Sequence, residues 1–282
     1  MLWQLSEILI YKEKKMISFN TYYLDDKIIR GRVFDVFMPE NITQKTALFF
    51  VHGGGWTNGN RDRFHEIMHA YCERGFICAS TDYRLLPMNI GKRTAIDQLA
   101  DVRESYDAFV SILKEKNIAP QIAVFGSSAG AHLASLLVCA LPGECGDEPV
   151  LKNEWIQPAC GMVQATPASF VPWPESYPAM WGMMERAAGG SYEEVPENYR
   201  LLSLENHIRE DNPPLFFMEA ENEGLFPGHY NKVLLEKHLQ WGIPSQMKVY
   251  QYAEHGFFYD LSRPIQHEAF EDIFNFIKKI NG

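Results

Sequence analysis

A serine set between glycines is the first feature of this sequence that could do chemistry. The stretch "IAVFGSSAGAHLASLL", residues 122–137, places Gly126 two residues before Ser128 and Gly130 two residues after it. A serine hydroxyl becomes a useful nucleophile when a sharp strand-to-helix turn lifts it clear of the backbone, and that turn excludes bulky side chains at both positions. The spacing therefore predicts Ser128 as a nucleophile for acyl transfer. The same pattern also fits a glycine-rich turn in which Ser127 or Ser128 only caps the helix.

Three consecutive glycines meet a second requirement of acyl transfer, the stabilisation of developing negative charge. In "FFVHGGGWTNG", residues 49–59, an apolar strand runs into Gly53, Gly54 and Gly55. Without side chains, these residues let backbone N–H groups approach a substrate oxygen closely, as an oxyanion hole requires. His52 precedes the loop, and we expect it to brace the loop instead of acting as a base.

A histidine and a group of glutamates can complete the proton relay of a serine nucleophile. His255 follows the strand-like "QYAE" near the C-terminus and is predicted as the general base. The segment "EAENEG" offers Glu219, Glu221 and Glu223 after another strand pattern. The carboxylate that orients an imidazole should lie in the loop beyond the strand's end, which favours Glu223 and leaves Glu221 open. No Cys/His cluster accompanies these residues, so we predict neither a metal nor another cofactor.

The elements that must position these residues alternate between strand and helix. Apolar strand patterns occupy residues 28–39, 46–52, 76–83, 122–127, 161–168, 214–220 and 246–253. Helical patterns occupy residues 63–75, 94–117, 128–141, 228–242 and 267–280. This alternation predicts an α/β fold with a mostly parallel sheet and helices on both faces. Ligands of such sheets bind at the carboxyl ends of the strands, which is where the candidate residues lie.

One region interrupts the alternation, within what we predict to be a single domain over residues 1–282. Residues 142–200 are predicted as a small cap or insertion, and segment 170–184 is dense in aromatic residues and methionines. These side chains either form a wall over the substrate site or pack on the core as an ordinary surface loop. The wall hypothesis assigns substrate contacts to Trp173 and Trp181, together with Trp56 after the glycine loop, and predicts a preference for short acyl groups.

Composition excludes several classes of partner. The chain has 26 Lys and Arg against 36 Asp and Glu, a formal charge of −10, which argues against binding nucleic acid or an acidic bilayer. The 5 cysteines form no CxxC pair, as expected of reduced thiols in the cytoplasm. Residues 1–15 lack the pattern of a signal peptide, and no apolar run is long enough to span a membrane. A small-molecule substrate is the expected partner, and the sequence is also compatible with a homodimer.

Six motifs follow one another in order from about residue 30. They are "HGGGW" at 52–56, "DYRL" at 82–85, "DV" at 101–102, "GSSAGAHLA" at 126–134, "PPLFF" at 213–217 and "EHGF" at 254–257. With them the chain resembles the α/β-hydrolase superfamily, and within it the esterases and lipases with an HGGGW-type oxyanion motif. That group includes hormone-sensitive-lipase-like esterases, BD-FAE-type carbohydrate esterases and kynurenine formamidases. The order Ser128, Glu223, His255 is also the order of the superfamily.

The resemblance implies roles for individual residues. It makes Ser128 and His255 catalytic and places oxyanion donors on Gly54, Gly55 and Ala129. Relatives carry H-G-x-x-D with an aspartate as the acid, where this chain reads "EAENE" from residue 219 to residue 223.

The implied activity is the hydrolysis of carboxylic esters of small or short-acyl substrates, such as acetylated carbohydrates or aryl esters, through an acyl-enzyme on Ser128. A kynurenine formamidase or an exopeptidase-like amide hydrolase would use the same residues. An alternative of another class is a non-catalytic receptor for small molecules on the same fold, as in the gibberellin receptors. The presence of both Ser128 and His255 argues against that receptor.

Overall fold

The structure is a computed structural model that describes residues 16–24, 31–87, 90, 93–173, 178–226 and 228–281. The interpretation of residues 1–15 as lacking a signal peptide lies outside these described residues, as does the part of segment 170–184 from residue 174 to residue 177. The described residues form an eight-stranded sheet with the strand order β1-β2-β4-β3-β5-β6-β7-β8. The strands are β1 Ile17–Tyr23, β2 Val33–Pro39, β3 Ala47–Val51, β4 Cys78–Thr81, β5 Ile122–Ser127, β6 Cys160–Gln164, β7 Leu215–Asn222 and β8 Gln246–Glu254.

The sheet is antiparallel only at its N-terminal edge. β1 pairs with β2 and β2 pairs with β4 in antiparallel register, whereas β3 to β8 pair in parallel. The helices are α1 His65–Glu73, α2 Ala95–Glu115, α3 Ala129–Cys139, α4 Pro178–Ala188, α5 Pro196–Leu202, α6 Gly228–Gln240 and α7 Pro264–Asn281. Short 3-10 helices lie at Arg61–Phe64 and Leu204–Asn206. The predicted mostly parallel sheet is confirmed.

An apolar layer covers each face of the sheet. Successive side chains of a strand point to opposite faces, so each buried strand contributes to both layers. In β3, Phe49 and Val51 belong to one cluster of buried residues, whereas Leu48 and Phe50 belong to the other. Helices α2, α3, α4 and α5 contribute to the first cluster, and α1 and α7 contribute to the second. Helices on both faces therefore cover the strands and leave their carboxyl ends accessible to a substrate.

The region from residue 142 to residue 200 contains one strand that the sequence predicts and two helices that it does not. Cys160–Gln164 form β6 in the middle of the sheet, so the residues outside the alternation fall into two stretches on either side of this strand. The second stretch contains α4 and α5, which the sequence reading treats as irregular. A proline begins each of them, at the position where its missing N–H costs no helical hydrogen bond. A single domain with this cap stays a prediction.

Candidate active site

Ser128 lies at the junction of β5 and α3, on a backbone that is strained. Its φ of 55° and ψ of −123° are unusual for a residue with a side chain. A Cβ atom at Gly126 would lie 2.3 Å from the carbonyl oxygen of Gly130, and one at Gly130 would lie 2.2 Å from the carbonyl oxygen of Val51. Only glycine fits at either position, which is the steric requirement that the sequence spacing predicts.

The three predicted relay residues meet through consecutive hydrogen bonds. Ser128 Oγ lies 2.9 Å from His255 Nε2. On the other side of the ring, His255 Nδ1 lies 2.8 Å from Oε2 and 3.0 Å from Oε1 of Glu223. Glu223 directly follows the last residue of β7, and His255 directly follows the last residue of β8. Neighbouring parallel strands therefore bring the acid and the base to one edge of the sheet.

The surroundings of Glu223 favour its ionised form. Burial alone raises the pKa of a carboxyl group, but the hydrogen bond and charge interaction with His255 and the amides of Leu225 and Phe226 outweigh burial, and the pKa of Glu223 lies below its ordinary value. The amide of Leu225 donates to Oε1 at 2.8 Å and that of Phe226 at 3.3 Å. A fixed carboxylate at Nδ1 holds the ring with Nε2 facing the serine hydroxyl.

The two competing glutamates have other partners. Glu221 is exposed, and its Oε2 accepts a hydrogen bond from the backbone amide of Tyr252 at 2.8 Å. Glu219 is buried, and its Oε1 accepts a hydrogen bond from the side-chain amide of Asn231 at 2.9 Å. The structure thus brings Glu223, and neither of the others, to His255.

The glycine loop turns sharply beside the serine. Gly54 has a φ of 130° and Gly55 a φ of 57°, and the carbonyl oxygen of Gly54 accepts the amide of Asn58 at 3.0 Å. A Cβ atom at Gly53 would lie 3.1 Å from Cβ of Ser128, so this backbone runs directly alongside the serine. Gly54 and Gly55 line the same cavity as Ser128. Ala129 is the buried first residue of α3, and its amide follows the serine directly.

His52 packs behind this loop and takes no part in the relay. Its imidazole stacks on Tyr83 with ring centroids 4.3 Å apart, and the Tyr83 hydroxyl donates to the carbonyl oxygen of His52 at 2.8 Å. Burial lowers the pKa of His52 to about 4, so the ring is neutral at neutral pH. In the neighbouring "DYRL" motif, Arg84 pairs with Asp101 at 2.7 Å, an arrangement that fixes the loop after β4.

A cavity of about 470 Å³ opens over the serine. Its wall is formed by the glycine loop, by α4 and by the segments that follow β7 and β8, with the lining residues Gly54, Gly55, Trp56, Thr57, Asn58, Arg63, Ser128, Ala179, Met180, Met183, Leu225, Phe226, His255, Gly256 and Tyr259. The lining is mainly apolar, and its polar side chains are those of Ser128, His255, Arg63, Thr57, Asn58 and Tyr259. A cavity of this size and character accommodates a small organic substrate.

Of the three tryptophans predicted to contact substrate, only Trp56 lines the cavity. Trp173 and Trp181 do not, because they pack edge to face on each other, and Trp181 also stacks on Tyr199. Met180 and Met183 of α4, the helix that contains Trp181, line the cavity in their place. In segment 170–184, the cavity is therefore lined by Ala179, Met180 and Met183 and not by the two tryptophans, and a wall that contacts substrate stays a prediction.

Trp56 is itself held by a buried histidine, His132. Its Nε1 donates to Nδ1 of His132 at 3.3 Å, while His132 Nε2 donates to the carbonyl oxygen of Leu202 at 2.7 Å. Both bonds require a neutral ring with its proton on Nε2, in keeping with a pKa that burial lowers to about 4. This chain of contacts ties the cavity wall to α3 and to the end of α5. The sequence gives no signal for it, since His132 and Leu202 are 70 residues apart.

Glu219 makes the stability of this region depend on pH. Burial, with the nearby charge of Glu223, raises the pKa of Glu219 from 4.5 to about 7 although Asn231 and His255 oppose the shift. The folded protein then holds this proton more tightly than the unfolded chain, so ionisation of Glu219 destabilises the fold as the pH rises between these two values. When the pH is raised from about 5 to about 8, the free energy of unfolding of Glu219→Gln should therefore increase by about 2–3 kcal/mol relative to that of the wild type.

Urea denaturation of both proteins at the two pH values measures this gain. Glu221→Gln is the control, since that carboxylate is exposed. A stability difference between Glu219→Gln and the wild type that does not change with pH would show that Glu219 is already ionised in the folded protein.

Within the described residues, no group of three or more His, Cys, Asp or Glu side chains is placed to hold a metal ion. Nor does any helix in that part of the chain have the length and apolar character needed to cross a bilayer.

Sequence comparison finds hydrolases that are similar to parts of this chain. LipM of Mycobacterium tuberculosis, described as a probable carboxylic ester hydrolase, is 29% identical over 189 residues, which are 64% of this chain and 42% of LipM. Kynurenine formamidase of Drosophila melanogaster is 29% identical over 108 residues, which are 38% of this chain and 34% of that enzyme. The matches thus span less than half the length of these curated relatives.

Solved structures show the same fold. Esterase B of Lactobacillus rhamnosis superposes with a TM-score of 0.75 at 18% identity, covering 94% of this chain and 86% of that chain. Another structure of Esterase B contains a tributyrin phosphonate inhibitor. The predicted α/β-hydrolase fold is confirmed. The model of the BD-FAE family matches residues 34–238, which is most of the sequence. The chain belongs to the BD-FAE family.

Proposed function

We propose that this protein hydrolyses carboxylic esters of small or short-acyl substrates, such as acetylated carbohydrates or aryl esters, through an acyl-enzyme on Ser128. One observation carries the proposal, namely the unbroken hydrogen-bonded series from Ser128 through His255 to Glu223 in a cavity lined by the glycine loop. The membership of the BD-FAE family and the resemblance to LipM support the same chemistry.

The first half-reaction builds the acyl-enzyme. His255 Nε2 accepts the proton of Ser128 Oγ as this oxygen attacks the ester carbonyl carbon, and the carbonyl oxygen becomes an oxyanion. Glu223 remains ionised and stabilises the imidazolium. When the tetrahedral intermediate collapses, His255 gives its proton to the leaving oxygen, and the alcohol departs.

Backbone amides would stabilise the oxyanion. Gly54 and Gly55 line the cavity beside the serine, and the amide of Ala129 begins α3, where the helix N-terminus favours negative charge. We assign the oxyanion hole to these three residues. Each donor of this kind contributes about 2.7–4 kcal/mol to stabilising a transition state in serine hydrolases.

Water completes the cycle by the reverse sequence. His255 removes a proton from a water molecule that attacks the acyl carbonyl, the same amides hold the second oxyanion, and His255 returns the proton to Ser128 Oγ as the acid is released. No step of this scheme draws on a cofactor.

Formamide hydrolysis is the second candidate, because kynurenine formamidase matches over 108 residues and the same relay would cleave a formamide. Turnover of p-nitrophenyl acetate, p-nitrophenyl butyrate, acetylated xylo-oligosaccharides and N-formylkynurenine separates the candidates. Hydrolysis of at least one ester, faster than that of the formamide, supports the proposal. Hydrolysis of N-formylkynurenine alone would replace it with the formamidase. A non-catalytic receptor would bind these compounds and release no product.

The methionines of α4 should set the acyl-chain preference. Met180 and Met183 line the cavity, and a Cβ atom at Gly55 would lie only 2.9 Å from Met183 Sδ, so this helix closes tightly over the glycine loop. We expect wild-type activity on p-nitrophenyl butyrate to fall steeply by octanoate. Met183→Ala should raise the octanoate-to-butyrate ratio of kcat/KM by about tenfold, since the pocket gains several methylenes of space worth about 0.8 kcal/mol each.

Trp181→Ala is the contrasting variant for this preference. The Trp181 side chain packs on Trp173 and Tyr199 outside the cavity, so its removal should lower the melting temperature and leave the ratio near that of the wild type. An unchanged ratio in Met183→Ala, or efficient wild-type hydrolysis of palmitate esters, would show that α4 does not limit the acyl chain.

The cytoplasm is the compartment that we propose for this chemistry. All 5 cysteines are buried and unpaired, as expected where thiols stay reduced. The acidic charge of −10 supports a small-molecule substrate over nucleic acid as the partner. Sedimentation measurements of the oligomeric state would test whether the protein forms a homodimer.

A further inference from the structure

Arg63 carries the one permanent charge among the described residues that line the cavity. It belongs to the short 3-10 helix Arg61–Phe64, and its side chain lines the cavity together with Ser128 and His255. Its guanidinium carbon lies 5.3 Å from the centroid of the Tyr259 ring, which itself stacks on Phe64 with centroids 5.1 Å apart. This cation–π contact holds the guanidinium near Tyr259, which also lines the cavity.

This guanidinium has no acidic partner among the described residues. Arg61, two residues earlier, pairs with Asp35 and Asp82, each at 2.8 Å, whereas no ion pair joins Arg63 to a described side chain. The described residues that line the cavity include no aspartate or glutamate. In a protein with a formal charge of −10, the described lining of the cavity thus carries the positive charge of Arg63, which is exposed to solvent, and no carboxylate.

The charge also acts on groups behind the loop. Burial is the main reason for the low pKa of His52, and the positive charge of Arg63 lowers it further. His52 directly precedes the three glycines, so the field of Arg63 reaches the loop beside Ser128. An anion in this cavity would lie in the same field, and the planar guanidinium can donate two parallel hydrogen bonds to a carboxylate.

We propose that Arg63 selects substrates that carry a carboxylate near the ester or formamide that is cleaved. The inference rests on the proposed function and specifies its substrate class. Arg63 binds the carboxylate of the substrate and takes no part in proton transfer, so it acts as a specificity-determining residue. Its contribution should therefore appear mainly in KM, because the carboxylate is bound equally in the ground state and the transition state.

Matched substrates that differ only in charge test this selection. One pair places the charge on the leaving group, 4-acetoxybenzoate against 4-acetoxybenzamide. The other places it on the acyl group, monophenyl adipate against the phenyl ester of adipic acid monoamide. In the wild type, kcat/KM should favour the carboxylate of at least one pair by about tenfold, and added salt should reduce this preference because the cavity is open to solvent.

Substitution then identifies the residue responsible. Arg63→Gln should raise KM for the carboxylate substrate and so bring the ratio of kcat/KM between the matched substrates close to one. Arg63→Lys should retain part of the preference, since a lysine keeps the charge but cannot donate two parallel hydrogen bonds in the same plane. Arg200→Gln is the matched control, because Arg200 is exposed on α5 and pairs with Glu197 away from the cavity. It should keep the wild-type preference.

The outcomes separate the inference from the proposed function. If the esters that carry a neutral carboxamide are cleaved as fast as those that carry a carboxylate, the role of Arg63 is overturned and the esterase is left intact. A carboxylate preference that survives Arg63→Gln has the same consequence. Absence of hydrolysis for all four compounds and for p-nitrophenyl acetate overturns both. A carboxylate preference that Arg63→Gln removes and Arg200→Gln retains supports the substrate class.

Discussion

Ser128→Ala should reduce kcat for p-nitrophenyl acetate by about 10⁶-fold, to the level of residual catalysis by binding and the oxyanion donors. The substitution removes the oxygen that forms the covalent bond and leaves the backbone turn in place. Because Ser128 already has a positive φ, alanine carries the same backbone strain and the fold should persist. Steady-state kinetics with a protein of unchanged circular dichroism checks this result.

Ser127→Ala is the matched control for the nucleophile. Ser127 is the last residue of β5 and is fully buried, and its hydroxyl lies 2.9 Å from the amide nitrogen of Gln164 when that amide takes the orientation that satisfies its hydrogen bonds. Its loss should change activity by less than about tenfold, as expected for one buried hydrogen bond of about 1 kcal/mol. If Ser127→Ala were inactive and Ser128→Ala active, the nucleophile would be Ser127.

Glu223→Gln should lower kcat by up to about 10⁴-fold, as the loss of the carboxylate does in the serine proteases. Glutamine keeps the shape of the side chain but has no negative charge to stabilise the imidazolium. It can also present its NH₂ group to Nδ1 and so favour the wrong tautomer of His255. The effect should lie mainly in kcat, since Glu223 is not among the residues that line the cavity.

Glu221→Gln provides the comparison for the acid. Glu221 carries the same charge two residues away, but it is exposed and accepts the amide of Tyr252. Its substitution should leave kcat within a few-fold of the wild type because the charge is screened by solvent. If Glu221→Gln were inactive and Glu223→Gln active, the acid would be Glu221 and the loop after β7 would differ from the one described.

Local rules of the chain explain what the sequence predicts well. The glycines around Ser128 meet a steric requirement of the turn itself, so their spacing predicts the nucleophile without knowledge of the fold. Glu223 and His255 each follow directly on a strand end, and parallel strands bring such positions to one edge of the sheet. The choice of Glu223 over Glu221 follows from where β7 ends.

Features that depend on distant contacts are harder to predict. β1 lies at the edge of the sheet with a mixed pattern of exposure, and its sequence has no clear alternation. Trp181 resembles part of a substrate wall in the sequence, but which face of α4 meets the cavity depends on how this helix packs on the glycine loop. Arg63 also requires the structure, since its separation from Ser128 and His255 along the chain hides their common cavity.

Covalent labelling tests the central claim most directly. A fluorophosphonate probe reacts with a serine only when a base removes its proton and an oxyanion hole receives the phosphoryl oxygen. We expect one label per chain, located on Ser128 by peptide mass spectrometry, with none on Ser128→Ala and much slower labelling of Glu223→Gln. A folded wild-type protein that stays unlabelled, or that carries its label on Ser127, would contradict the assignment of Ser128 as the activated nucleophile.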